Sequence, residues 1–340
     1  MHTQQSNERH PEHDQVRHQP SPDPAERVAA MMARYAGDTV MAGIADDDVT
    51  EVYVNPHDRI VRYESRSRGK IATAIRLAAE QIEMFLNTVA TLMHVTLTPD
   101  QPSLQAELPI PQFYGSRLQG FIPPAVLGAC FTIRKPPNIV YTLDHYVHRG
   151  LLSAPHRALL HNAVVQRDNI VIAGGTSSGK TTFTNAVLCE ITEVASNDRI
   201  IILEDTIELR CTTADHLTLR TTPTLSLAQL VKTTLRANPD RIVVGEVRDG
   251  AALDLLDAWA TGHPGGCATL HATTPEGALL RLDRLAQRAA RQSQVHLIVD
   301  AVQLVVMMQQ TPTGRRVTEI ARVRGVDHHQ RFILEREVAA

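Results

Sequence analysis

The sequence predicts an α/β protein, with a parallel-rich sheet in its later part and a smaller α+β domain before it. Three observations carry that prediction. From about residue 151 onward, short apolar runs alternate with segments of helical spacing, the pattern of strands joined by crossover helices. One strand-to-helix junction in that region is the glycine-rich run Gly174-Gly175-Thr176-Ser177-Ser178-Gly179-Lys180-Thr181. At 340 residues the chain is also long for a single core, so two domains are expected.

Residues 1–24 are rich in His, Gln, Glu, Pro and Ser with almost no large apolar side chains, so they are expected to form a disordered tail. The irregular spacing of His2, His10, His13 and His18 argues against a metal site there. An N-terminal α+β domain with its linker is expected over 25–150. Val49–Asn55 alternates as a strand, the turn residues Asn55 to Asp58 follow, and Ile60–Tyr63 reads as the hairpin partner. Lys70–Met93 then reads as one amphipathic helix, with Ile71, Ile75, Ala78, Ile82, Phe85, Val89 and Leu92 on a core-facing stripe. The Pro- and Gly-rich segment 97–137 carries short strands near Leu118–Ile122 and Phe131–Arg134.

The second domain, 151–340, opens with a helix over Pro155–Gln166 and the buried strand Asn169–Ala173. Strands follow at Ile200–Glu204, Leu217–Arg220, Arg241–Gly245 and Gly266–Leu270, separated by helices at Leu227–Ala237 and Ala251–Ala260. Ser226 with Gln229 fits a capping box, and Thr274-Pro275-Glu276 opens another helix. Val302–Met308 and Arg316–Val323 flank turn residues and read as a hairpin.

Composition narrows the function. Hydrophobic residues make up 43% and charged residues 21%, with a net charge of -3, which gives no support to a nucleic-acid polyanion as the main partner. Cys130, Cys189, Cys211 and Cys267 are scattered, so neither a zinc site nor a disulfide framework is indicated and a reducing cytoplasm fits best. The sequence shows no signal peptide, and Val295–Met308 is too short and too polar to span a bilayer. Membrane contact, if made, is peripheral.

The glycine-rich run matches the phosphate-binding pattern G-x-x-x-x-G-K-[ST] in full, between a strand and a helix, where backbone N–H groups and the helix's positive end converge on phosphates. The nucleotide-binding set is therefore Gly174, Gly175, Thr176, Ser177, Ser178, Gly179, Lys180, Thr181 and Thr182. Lys180 would set its charge on the β and γ oxygens, and Thr181 would offer its hydroxyl to Mg²⁺. ATP hydrolysis also needs carboxylates, and two apolar strands end in them: one at Glu204-Asp205, the other at Gly245-Glu246 with Arg248 and Asp249 behind. Glu204 is read as the acid that orients water and Glu246 as part of the Mg²⁺ shell, partly through water. Which acid does which remains open at this level.

A further cluster, Thr261-Gly262-His263-Pro264-Gly265-Gly266-Cys267-Ala268-Thr269-Leu270-His271-Ala272, gives the pattern its specificity. Taken with the phosphate loop, Arg199–Glu208 and Leu235–Arg248, it resembles the four ordered motifs of the type II and type IV secretion ATPases. The segments Glu107-Leu108-Pro109, Gly115–Gly120 and Phe131–Pro136 resemble the N-terminal domain of the type IV, conjugative branch, and the resemblance covers about residues 38–325. It implies a RecA-like domain, a homo-hexameric ring, and nucleotide held between domains. It also implies a coupling role near the γ-phosphate for His271, with His263 a second candidate, and phosphate-approaching roles for Arg117 and Arg134. Arg248 is a weaker candidate of the same kind. The absence of a Cys-rich zinc module favours the type IV branch, although Gly245-Glu246 stands where many phosphate-loop enzymes carry Asp-Glu.

The expectation is a cytoplasmic ATPase, using ATP and Mg²⁺, that acts with inner-membrane components of a conjugation or secretion complex and recognises no nucleic-acid sequence. A type IV pilus assembly or retraction motor and a nucleotide-gated scaffold with little turnover are the alternatives.

Overall fold

The computed structural model describes residues 23–136, 140–312 and 314–338, and it divides into two compact units at Lys135/Pro136. The expected tail lies outside the described residues up to position 22, and Pro24 already belongs to a helix.

The first unit begins with α1 (Pro24–Ala36) and α2 (Asp38–Ala45). Its strands are β1 (Val49–Val54), β2 (Ile60–Ser65), β3 (Gly69–Arg76), β4 (Ser103–Glu107), β5 (Arg117–Phe121) and β6 (Cys130–Arg134), with α3 (Ala79–Leu92) inserted after β3. They form one antiparallel sheet in the order β3-β2-β1-β6-β5-β4. Helix and sheet share one core, where Phe85 of α3 meets Phe131 of β6 at a 5.1 Å ring separation among buried Met32, Ile44, Val52 and Ile133. This is the expected α+β unit, with one correction. The single helix expected over Lys70–Met93 is a strand followed by a helix, because Ile71 and Thr73 alternate with exposed Lys70, Ala72 and Ala74. Ile71 pairs with Tyr63, and Gly69, at φ 68°, closes the hairpin opposite Ser65. Ile71 and Ile75 fit either period, and pairing with β2 decides between them.

The second unit begins earlier than the residue 151 suggested by composition. Leu143 and Tyr146 of α4 (Leu143–His148) are buried in the same core as Leu160 of α5 (Ala154–Val165) and Phe183 of α6 (Lys180–Val194). Its strands are β7 (Ile170–Gly174), β8 (Ile200–Glu204), β9 (His216–Arg220), β10 (Arg241–Val244), β11 (Cys267–Leu270), β12 (Leu304–Thr311), β13 (Gly314–Val326) and β14 (Phe332–Val338). The remaining helices are α7 (Leu227–Thr234), α8 (Ala251–Ala260), α9 (Pro275–Ala286) and α10 (Val295–Ala301). The sheet order is β14-β13-β12-β7-β11-β10-β8-β9, parallel from β12 through β9 and antiparallel at the β12–β13–β14 end.

Both faces of the sheet are covered. Val171, Ala173, Ile201 and Leu203 pack with α7, α8 and α9, whereas Ile170, Ile172, Ile200 and Ile202 pack with α5 and α6. Two buried faces explain why these strands read as continuous apolar runs. The capping box of α7 and the Thr274 cap of α9, which accepts from the Gly277 N–H, form as the sequence indicates. Among the described residues no helix is long and apolar enough to cross a membrane.

Close packing makes one glycine indispensable. A Cβ on Gly266 would run into the Ile242 carbonyl and stand 2.5 Å from Trp259 Nε1, which itself donates to the Ile242 carbonyl at 3.1 Å. Backbone and a pinned indole cannot both yield. Gly266→Ala is therefore expected to destabilise the second unit by about 2–3 kcal/mol. Thermal or urea unfolding checks this, and a midpoint equal to that of the unaltered protein would refute it.

Candidate nucleotide-hydrolysis site

Parallel register brings the strand ends together. Val244 pairs with Leu203 and Ala268, and Leu270 pairs with Ala173, so Glu204, Gly245-Glu246, His271 and the phosphate loop all leave the same edge of the sheet. Open α/β sheets bind ligands at that edge.

The loop is shaped by its glycines. Gly174 is buried, and a Cβ there would strike the Met308 carbonyl on β12 and stand 2.5 Å from Ser178 Oγ. Ser177 and Gly179 take positive φ, 58° and 92°, which turns the chain around the loop interior. Gly175, Thr176 and Ser177 are exposed, and α6 begins without a side-chain cap at Gly179, so its first-turn N–H groups are available to an anion. Thr181 and Thr182 lie half-buried on that first turn.

Lys180 is 8% exposed, and its Nζ donates to the carbonyls of Gly175 (2.9 Å) and Gly174 (3.2 Å) while lying 3.4 Å from His271 Nδ1. The other ring nitrogen of His271, Nε2, is 3.2 Å from Glu246 Oε1. Glu246 Oε2 accepts from Arg248 Nη2 at 2.7 Å, and Arg248 Nη1 reaches Asp205 at 3.2 Å. One connected set thus runs from the loop lysine through His271 and Glu246 to the two strand ends.

These groups set one another's charge. Burial would raise the Glu246 carboxyl, but the Arg248 hydrogen bond and the charges of Arg248 and Lys180 outweigh it and hold the carboxyl below the usual glutamate value. Burial lowers Lys180 against the opposing pull of Glu246. His271 is lowered by burial and by Lys180, with Glu246 working the other way. The imidazole is accordingly neutral at pH 7 and can accept at one nitrogen while donating at the other.

Glu204 occupies a different setting. It is 3% exposed, and its carboxylate accepts backbone N–H groups from Glu208 (3.0 Å) and Leu209 (3.1 Å). It lies behind Gly245, where a Cβ would stand 2.9 Å from Glu204 Cγ. Its evident work is to shape the loop after β8 and to leave Gly245 no room for a side chain.

His263 does not join the cluster. It precedes β11 and His271 follows it, so the strand separates them, and the His263 ring contacts the Pro239 carbonyl at 2.9 Å. The first half of that motif is structural: Gly265, at φ 85°, leaves room for buried Arg241, which donates to the Gly265 carbonyl at 3.1 Å and to Asp198 at 2.6 Å.

Arg117 and Arg134 belong to the first unit. They face each other across β5 and β6, and Arg134 Nε stands 3.8 Å from Glu51. Arg315 is a residue that sequence reasoning does not single out. It arrives beside the loop through the β12–β13 hairpin, where a Cβ on Gly179 would stand 3.1 Å from its Cδ. No local motif announces such a contact, which joins positions far apart in the chain.

The chain resembles known proteins over most of its length. The chain is 41% identical over 297 residues to the "Probable conjugal transfer protein TrbB" of Sinorhizobium fredii, covering 87% of this chain and 90% of that one. It is 40% identical over 306 residues to the conjugal transfer protein TrbB of Rhizobium radiobacter, covering 89% and 93%. The fold is that of the Legionella pneumophila ATPase DotB, with a TM-score of 0.61 at 20% identity over 84% of this chain and 80% of that one. The family profile of type II/IV secretion system proteins matches residues 26–335, and this chain belongs to that family.

Proposed function

We propose that this chain is an ATP-hydrolysing motor subunit of a conjugative type IV secretion system, with a RecA-like second unit that works in a homo-hexamer. The observation that carries the reading is the convergence of Lys180, His271 and Glu246 beside the phosphate loop, in a chain 40% identical to a conjugal transfer protein.

The residues present fit ATP and Mg²⁺. The loop turns at Ser177 and Gly179, a Cβ on Gly175 would meet nothing within 4 Å, and the uncapped start of α6 supplies oriented N–H groups. In this reading Gly174 to Thr182 cradle the phosphates, while Thr181 and Glu246 hold the metal, Glu246 partly through water. Mg²⁺, when bound, would neutralise charge on the terminal phosphates. Lys180 adds its positive charge on the terminal phosphates, and neutral His271 joins lysine and acid. Arg117 and Arg134 are proposed, on the resemblance, as guanidiniums for the developing phosphate charge. With Glu204 engaged by backbone donors, we assign Glu246, and not Glu204, as the acid nearest the reacting groups. Glu204 then holds the loop on which the site rests.

The protein is proposed to act in the cytoplasm against inner-membrane components of the transfer complex. Deleting the gene in a conjugative host should abolish mating, and a copy carrying Lys180→Ala should fail to restore it. Normal mating with lost twitching would instead identify a pilus motor.

A further inference from the structure

Between β8 and β9 the chain runs past α6, and hydrogen bonds at each end of that passage fix its register. At one end Asn185 Oδ1 accepts the Arg210 N–H at 2.8 Å while Asn185 Nδ2 donates to the Glu208 carbonyl at 3.3 Å. At the other the hydroxyls of Thr192 and Thr213 meet at 2.9 Å. From Asn185 to Thr192 on the helix, and from Arg210 to Thr213 on an extended segment, the span is about 10 Å in each case. Helix and segment therefore run side by side in register.

Cys189 and Cys211 lie between those two ties, one on each element. Asn185, Cys189 and Thr192 share one face of α6 by their spacing. Along the segment, Leu209, Cys211 and Thr213 turn inward while Arg210 and Thr212 are exposed, so the Cys211 side chain leaves on the side from which Thr213 reaches α6. Cys211 packs on the apolar core that Leu188 and Ile191 of α6 help to form. Both thiols are free and half-buried, within reach of a small reagent. Burial pushes the Cys189 thiol up, with Glu193, Cys211 and Glu190 adding to it. The other two cysteines are placed differently. Cys267 is fully buried in β11, where burial pushes its thiol up to about 12, and Cys130 belongs to the first unit.

The geometry points to Cys189 and Cys211 as a site of reversible disulfide formation, closed by exchange with a small-molecule disulfide of the glutathione class. The Cys211 thiolate attacks one sulfur of the reagent, forming a mixed disulfide and releasing the first small thiolate. Cys189, on losing its proton, attacks the Cys211 sulfur and releases the second. Two protein thiols thus lose two electrons and two protons, and the reagent is reduced to two thiols. Switching disulfides of this kind occur in reducing compartments, where permanent ones are rare. The bond ties the loop that Glu204 holds through Glu208 and Leu209 to the helix that begins at Lys180. It also closes a ring in the unfolded chain, which removes conformational freedom there and stabilises the fold.

The test incubates the reduced full chain with glutathione disulfide and reads intact mass, tryptic peptides and the thermal unfolding midpoint. The expected product is a single chain lighter by two hydrogens, in which the tryptic peptide 181–199 is linked to 211–220 while Cys130 and Cys267 stay free. Its unfolding midpoint should rise by several degrees and return when dithiothreitol reduces the bond. Cys189→Ser and Cys211→Ser should each abolish both the link and the rise, and their midpoints under reducing conditions verify that they fold. A stable glutathione adduct in place of the link, a link to Cys267 or to a second chain, or a linked product whose midpoint does not rise would overturn the proposal.

Discussion

Replacing Lys180 by alanine is expected to reduce ATP turnover by roughly 10²–10³-fold, the usual cost of removing one preorganised charge from a phosphoryl-transfer site. The geometry explains the size of that loss. The Lys180 ammonium is held between the Gly174 and Gly175 carbonyls and His271, at the buried start of α6. Arg248, a nearby cation, is committed to Glu246 and Asp205. Losing Lys180 also releases His271 from a charge that lowers its pKa, so the imidazole should protonate at higher pH in the variant. Affinity for ATP should fall with the rate, because the lysine acts on ground state and transition state alike. Steady-state kinetics and direct binding check both expectations.

Glu246→Gln is expected to behave differently, with turnover reduced by roughly 10²–10³-fold and nucleotide binding largely retained. Glutamine keeps the shape and one acceptor but removes the negative charge that Arg248, His271 and Lys180 all stabilise. An acid held ionised beside the loop lysine is suited to binding the metal's waters or polarising a water, and an amide does neither well. A Glu246→Gln protein that binds ATP and turns it over at the unaltered rate would take the acid role from this residue. The same substitution at Glu204 tests the division of labour. It should perturb the loop that carries Glu208 and Leu209, whose N–H groups the carboxylate accepts, and lower stability along with rate.

The core of this site was legible because its signals are local. A phosphate loop is eight consecutive residues, and an acid at the end of a buried strand stands next to the apolar run that announces it. Helix α8 could be bounded for the same reason, with Gly250 before it and Thr261-Gly262 after it. Long-range pairing was not legible. Strand β3 shares its isoleucine spacing with a helix until β2 settles the matter. The strands β4 and β14 sit at edges, where pairing on one side leaves a weaker apolar pattern. His263 and His271 belong to one motif in the chain yet fall at opposite ends of β11. Glu204 and Glu246 read alike in sequence, each closing an apolar strand. The backbone donors around Glu204 and the Arg248 and His271 contacts of Glu246 set them apart.

The central claim is that the phosphate loop, Lys180 and Glu246 form a site that hydrolyses ATP. The most direct measurement is phosphate release from ATP and Mg²⁺ by the purified unaltered protein, Lys180→Ala and Glu246→Gln, assayed side by side. The account predicts release by the unaltered protein and loss in both variants, with ATP still bound by Glu246→Gln. Release indistinguishable among the three would contradict it.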